Sequence, residues 1–191
     1  MILLSFFSVG MGQTPLIQDE GISLFKQETK GAKTRITVKG NIVASQEEIL
    51  NVLLEFNGHH RWVPRLKSSR LLKEFSDGRL HVESVFDAPW PMVDRVFILE
   101  GNIKKQKRAF VILGKGDVFP LGQKGVITAQ ITDYELKLIR KGKILTNCSL
   151  SYVFDSKGYI PFWITDYIVS KWPMEFFKLL RSRVYYPKAF K

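Results

Sequence analysis

Cysteine is almost missing from this chain: Cys148 stands alone among 191 residues. One thiol excludes an internal disulfide and any cysteine-based metal cluster. It lies within "ILTNCSLSYVF", a strand-like run, and so reads as a buried, inert thiol. Histidine is scarce too, with three copies. His59 and His60 are adjacent and project differently, His81 is a lone strand histidine, and no Cys/His spacing supports a metal site. His59 and His60 read as solvent-exposed loop residues. No apolar run reaches the ~20 residues of a membrane-spanning helix; residues 2–9 are too short. A nucleophile elbow is absent, and "GKGDVFPLG" lacks the lysine–serine/threonine ending of a phosphate-cradling loop. Without repeats, low-complexity tracts or linkers, a chain of this length forms one domain. Neither metal nor cofactor is expected.

Acidic residues are the minority, 18 against 29 basic ones, leaving +11. Such a balance attracts anionic surfaces, nucleic acid or acidic lipid headgroups, without choosing between them. The cations are scattered in short groups, and no nucleic-acid motif or exposed aromatic stacking platform accompanies them. Nucleic acid is therefore not the expected partner. Aromatic residues are abundant at 13%, with fourteen phenylalanines and four tryptophans. That load is large for a single small core, so some of it is expected to line a cavity. The N-terminus, "MILLSFFSVGMGQTPL", has two readings. Residues 1–12 are either a secretory signal peptide cut before Gln13, which makes the protein periplasmic or secreted, or a first strand or tail, which leaves it cytoplasmic.

From residue 13 to 191 the chain reads as one α+β domain. "KTRITVKGNIVA" alternates and is rich in β-branched residues, as a strand does. "SQEEILNVLLEFNG" follows with a capping box at Ser45 and Glu48, a helical face of Ile49, Val52, Leu53 and Phe56, and Gly58 as a stop. Strands are expected at "RLKSSRLLKEF", "LHVESVF", "RVFILEGNI" and "AFVILG". Three more, "GVITAQI", "YELKLIR" and "ILTNCSLSYVF", join near Asp133 and at "KGK". From Pro161 the period becomes helical, with Ile164, Ile168, Trp172, Phe176 and Leu180 on one stripe and a kink or break expected at Pro173. A helix of about 24 residues spans ~36 Å, enough to cross a curved sheet without filling the space beneath it. A ligand can occupy the remainder.

Four segments carry a resemblance: "RWVPRLKSSRLL", "DAPWPMVDRVFI", "FPLGQKGVITA" and "GYIPFWITDYIVSKWPMEFFKLLR". In this order and spacing, over about residues 40–184, they resemble START domains, the lipid-transfer modules related to steroidogenic acute regulatory protein, in a bacterial-like single-domain form. The resemblance implies a helix-grip fold: a curved antiparallel sheet wrapped around a long C-terminal helix, an internal tunnel for one lipid or sterol, and no catalysis. Residues 114–124 match the loop that lids the tunnel. Trp62 and Pro64 match the Trp-x-Pro element before the second strand of the family, and Arg95 matches the arginine that opens the strand after the corner. Glu83 falls near the acid that some steroid-binding members keep in the cavity. Their partnering arginine is replaced here by Gly101, so sterol specificity does not carry over.

The expected ligand-binding positions are Trp62, Glu83, Val85, Trp90, Arg95, Phe97, Val111, Leu113, Phe119, Ile164, Ile168 and Phe176. A Glu83–Arg95 pair across the hairpin would either pin the corner or anchor a headgroup. Counting strand reversals places the corner at 89–94, the loop at 115–124 and the turn at 140–143 on one end of the sheet. Trp90, Val118, Phe119 and Leu121, with Arg140, Lys141 and Lys143, would then form a rim docking on anionic membrane; ordinary core packing of the corner aromatics is the alternative. Either the 115–124 loop or the helix at Pro173 would gate entry. The function expected is non-enzymatic lipid binding or transfer by a monomer, with transient membrane contact. The alternative is a helix-grip cyclase or hydrolase acting on an aromatic or polyketide-like substrate, for which Glu83, Arg95 and Tyr167 are the candidates.

Overall fold

The computed structural model describes residues 14–29, 33–88, 90, 93–116, 127–128, 130–155 and 161–190. Residues 1–12, most of the 115–124 loop, and Val118, Phe119 and Leu121 lie outside the described residues. Strands β1 (Ile17–Asp19), β2 (Ile22–Thr29) and β3 (Lys33–Ile42) lead into helix α1 (Gln46–Leu54) and a 3-10 turn (Phe56–Arg61). There follow β4 (Leu66–Glu74), β5 (Arg79–Phe86), β6 (Arg95–Lys105), β7 (Ala109–Gly116), β8 (Ile127–Thr128), β9 (Gln130–Arg140) and β10 (Thr146–Asp155). The chain closes with α2 (Phe162–Asp166), a π-helical turn (Tyr167–Lys171), α3 (Trp172–Tyr185) and a short 3-10 turn (Pro187–Phe190). The strands make one curved antiparallel sheet in the order β1-β2-β3-β10-β9-β7-β6-β5-β4, with β8 paired in parallel to the start of β6. The closing helix lies across the sheet, in the α+β helix-grip arrangement.

Alternation decides what the sheet gives to its inner face. Ile22 and Leu24 of β2, Ile36 and Val38 of β3, and Leu136 and Leu138 of β9 all point inward and are fully buried. On them lie Phe177 and Leu180 of α3, also fully buried. The approach is close because position 40 has no side chain. A Cβ there would stand 2.9 Å from the Gly21 carbonyl oxygen and 3.2 Å from the Phe177 ring. α1 starts with the expected capping box: the Glu48 amide donates to Ser45 Oγ at 3.2 Å and the Glu48 carboxylate accepts from the Ser45 amide at 2.8 Å. These bonds hold the Glu48 carboxyl below the ordinary carboxylate range. Ile49 and Leu53 are the buried face of α1.

Pro173 does not divide the closing helix, which is continuous from 162 to 185. The disturbance is taken upstream. The Trp172 amide bonds to the carbonyl of Tyr167, five residues back, instead of that of Ile168. The next donor in line would come from residue 173, and proline has none. Tyr152 of β10 replaces it: its hydroxyl donates to the Ile168 carbonyl at 3.1 Å.

Three further features depart from the sequence reading. Residues 17–29 form two strands. Segments expected to join near Asp133 are one strand, β9, that passes Asp133 with a register shift opposite Val153 and Phe154 of β10. α1 ends at Leu54, and Gly58 lies inside the following 3-10 turn, its amide bonded to the Glu55 carbonyl at 2.9 Å.

Candidate functional site: a cavity beneath the closing helix

Where α3 presses on β2 and β3 the facing side chains are fully buried. Toward α2 and the π turn the helix stands off the sheet and leaves a cavity of about 520 Å³. Its walls are Ile164, Tyr167, Ile168 and Trp172 from the helix, Phe86 from β5, Arg95 and Phe97 from β6, Tyr134 from β9, and Leu150 and Tyr152 from β10. Arg65, Asp87, Ala88, Trp163, Asp166 and Lys171 complete the lining. A smaller cavity of about 180 Å³ continues beside it, bounded by Trp62, Val63, Leu66, His59 and Phe176, by Leu80, Val82 and Ser84 of β5, and by Leu99, Gly101, Ile103, Ile112 and Gly114. Phe86, Phe97, Tyr134, Leu150 and Trp172 face both spaces.

Trp172 is the hub of this shared wall. Its indole N–H donates to the Pro64 carbonyl at 2.9 Å, which fixes the ring. It stacks on Phe176 at 5.3 Å and meets Phe86 and Tyr152 edge-on at 6.0 and 6.3 Å. Phe86 in turn meets Phe97 at 5.4 Å. Burial pushes the phenols of Tyr134 and Tyr152 well above the ordinary tyrosine range, so both stay neutral. Tyr167 moves the same way through burial and through the bond its hydroxyl donates to Glu175 at 2.8 Å.

Among the charged residues of the wall, Arg95 is the buried one. It is 8% exposed. Its Nη1 donates to the Val93 carbonyl at 2.5 Å, while Nε is buried with no acceptor. Desolvation lowers its pKa from the ordinary arginine value, but a guanidinium stays charged in proteins.

Of the positions expected to bind ligand, the structure brings together Trp62, Arg95, Phe97, Ile164, Ile168 and Phe176. Val85, Val111 and Leu113 are corrected to the outer face: their neighbours Ser84, Phe86, Ile112 and Gly114 line the cavity, and a strand alternates. Glu83 is corrected likewise. It is buried on the outer face, where Arg70 Nε donates to its Oε1 at 2.8 Å and Oε2 has no partner. The expected Glu83–Arg95 pair does not exist, because the two residues point to opposite sides. Trp90 lines neither cavity and is 90% exposed. The single docking rim also fails. The Arg140 amide bonds to the Arg108 carbonyl at 2.9 Å, so Arg140, Lys141 and Lys143 lie with the "KKQKR" turn at the end of the sheet opposite the 87–94 corner.

His59 is a further correction. It is partly buried against the smaller cavity, between the rings of Phe56 and Trp62 at 5.5 and 5.4 Å, with Nε2 3.3 Å from the Val52 carbonyl. Burial holds its pKa below the ordinary value of 6.5. His60 is exposed, as expected. Sequence reasoning did not nominate Tyr134, Leu150, Tyr152 or Trp172 as lining residues. Trp172 had a usable signal in its place on the helical stripe, and the β10 pair could be found from its inward parity with Cys148.

Among the described residues no helix is long and apolar enough to cross a membrane, and no group of metal-ligating side chains is assembled. No family model matches the chain. A protein of Pseudomonas aeruginosa, itself uncharacterised, is 24% identical over 168 residues, covering 86% of this chain and 82% of its own. The crystal structure of human STARD10 superposes with a TM-score of 0.81 at 14% identity, over 92% of this chain and 74% of that one. A STAR-related lipid transfer protein from Xanthomonas axonopodis gives 0.73 at 21% identity, over 90% and 98%. The Zhui aromatase/cyclase from Streptomyces gives 0.58 at 10% identity, over 79% and 93%. The fold is thus that of START domains, and it is shared by lipid-transfer proteins and cyclases.

Proposed function

We propose that the protein is a non-enzymatic carrier that shields one hydrophobic molecule between the closing helix and the sheet. The observation that carries this reading is the cavity of about 520 Å³ walled mainly by aromatic and aliphatic side chains. Its size lies in the range of ~300–1,000 Å³ typical of ligand sites. Burying a chain there gains about 0.8 kcal/mol per methylene, enough to draw lipid from water without a dedicated polar contact. The similarity to the STAR-related lipid transfer protein supports the same reading. Native mass spectrometry of the protein purified from its own host tests it: one bound lipid-sized molecule is expected, and a uniformly empty protein that binds no lipid when offered it contradicts the proposal. Conversion of an aromatic polyketide by the purified protein would favour the cyclase reading. Of the three candidates for that chemistry, Glu83 faces away from the cavity, and the Tyr167 hydroxyl is already engaged by Glu175.

Loading from a membrane requires a docking surface near the larger cavity. We place it at the corner end. Trp163 lines that cavity and is 57% exposed, and Trp90, two residues beyond the lining residue Ala88, is 90% exposed. Arg65 and Lys171 line the same cavity. Aromatic rings insert at a bilayer interface while cations meet lipid phosphates. Trp90→Ala with Trp163→Ala should weaken binding to anionic liposomes. The triple reversal of Arg140, Lys141 and Lys143 to glutamate, at the opposite end, should matter less; the reverse ranking would refute this placement. Export directed by residues 1–12 is proposed from sequence alone, and N-terminal sequencing of the native protein tests it.

A further inference from the structure

We infer that the larger cavity selects a single-chain amphiphile ending in an oxyanion, a carboxylate or phosphate held by Arg95. The inference rests on the carrier reading and adds the class of guest. A buried cation without a counter-charge is costly, and no described residue makes an ion pair with Arg95. Among the described residues its one acceptor is the neutral Val93 carbonyl, bound by Nη1, and Nε is buried without a partner. Two carboxylates line the same cavity, but both are engaged elsewhere. Asp87 is paired with Arg65 at 2.9 Å and Lys67 at 3.1 Å, and Asp166 accepts from the Ser170 hydroxyl at 3.2 Å. Glu83, on the strand across the hairpin, is held by Arg70 on the other face. The planar guanidinium fork matches a two-oxygen anion, and the remaining wall suits a hydrocarbon chain.

Volume limits the chain count. At ~30 Å³ per water-sized group, 520 Å³ holds roughly 17 non-hydrogen groups, about one long-chain fatty acid. One such chain matches this volume, and a lipid with two would have to extend beyond the larger cavity.

Calorimetric titration of the full chain tests the inference with four probes: hexadecanoate, methyl hexadecanoate, hexadecyl phosphate and dipalmitoyl phosphatidic acid. The wild type should bind hexadecanoate or hexadecyl phosphate roughly 10–100-fold more tightly than the neutral ester, as for hydrogen bonds to a charged group. The ratio of the two acids tells which oxyanion is preferred. Arg95→Gln should bind acid and ester alike, with Ile164 and Ile168 methyl NMR shifts matching the wild type as proof of an intact cavity. Arg95→Lys should keep part of the preference. Equal binding of acid and ester by the wild type, or a preference surviving in Arg95→Gln, overturns the inference while leaving the carrier reading in place. Binding of the two-chain phosphatidic acid as tightly as hexadecyl phosphate overturns the single-chain limit. Failure of every probe to bind removes both readings.

Discussion

The two ends of the closing helix meet one sheet with opposite results. Through α3, Phe177 and Leu180 are fully buried over β2 and β3, and Gly40 lets the helix backbone come close. Through α2 and the π turn, the helix is propped away by Trp172 stacked on Phe176 and pinned to Pro64, and about 520 Å³ stays open. The first contact stabilises the fold, and the second gives up packing for a site. Large rings serve both ends, so the difference lies in what each ring meets. A small residue opposite Phe177 closes the interface, whereas aromatic residues opposite Trp172 hold it apart.

That contrast is open to direct attack. Phe177→Ala should cost about 3–5 kcal/mol in urea unfolding, as for other buried phenylalanines. Ile168→Ala, on the cavity side, should cost about 1 kcal/mol or less while weakening lipid binding; equal losses at the two sites would erase the distinction. Paired glycine substitutions sharpen it further. Gly40→Val drives a side chain into the Gly21 backbone, and overpacking of this kind costs ~1–3 kcal/mol. At Gly101 an added Cβ would meet only the Leu113 carbonyl, 3.9 Å away. Gly101→Val should therefore leave stability unchanged or raise it by up to about 1 kcal/mol, and should reduce the volume available to ligand.

Tyr152→Phe removes the donor that replaces the missing proline N–H, so the Ile168 carbonyl loses its partner at a cost of about 1–3 kcal/mol. The smallest expected effect is the pH response of His59. Burial depresses its folded pKa below 6.5, so the unfolded chain takes up the proton first. The stability contribution of the neutral ring is intact above about 6.5 and is lost as pH falls toward the folded value. Urea midpoints should therefore drop between about pH 7.5 and 5.5 in the wild type, and drop less in His59→Leu.

Much of the fold was legible in the sequence, because the capping box at Ser45, the alternation of β3 and β10, and the stripe from Ile164 to Leu180 each have one dominant period. The site was less legible, for two physical reasons. In β6 and β7 both faces are buried: Val96, Ile98 and Val111 on the outer face are as hidden as Phe97 and Phe110 on the inner one. Alternation then cannot say which parity faces the cavity, so Val111 reads on the wrong side; Val85 on the half-buried β5 and the exposed Leu113 follow the same mistaken parity. The second reason is Asp133. A charged residue in mid-strand reads as a turn, yet here it is tied by an ion pair to Arg35, across β10 from it. Counting a reversal there moved the Arg140 turn to the wrong end of the sheet.

The central claim, a helix packed at one end and standing off at the other, is tested most directly by methyl NMR of isoleucines during titration with hexadecanoate. Ile164 and Ile168 in the larger cavity, and Ile103 and Ile112 in the smaller one, should shift, while Ile22, Ile36 and Ile49 in the packed half should not. Silence from Ile164 and Ile168, or equal shifts in both sets, would contradict the account.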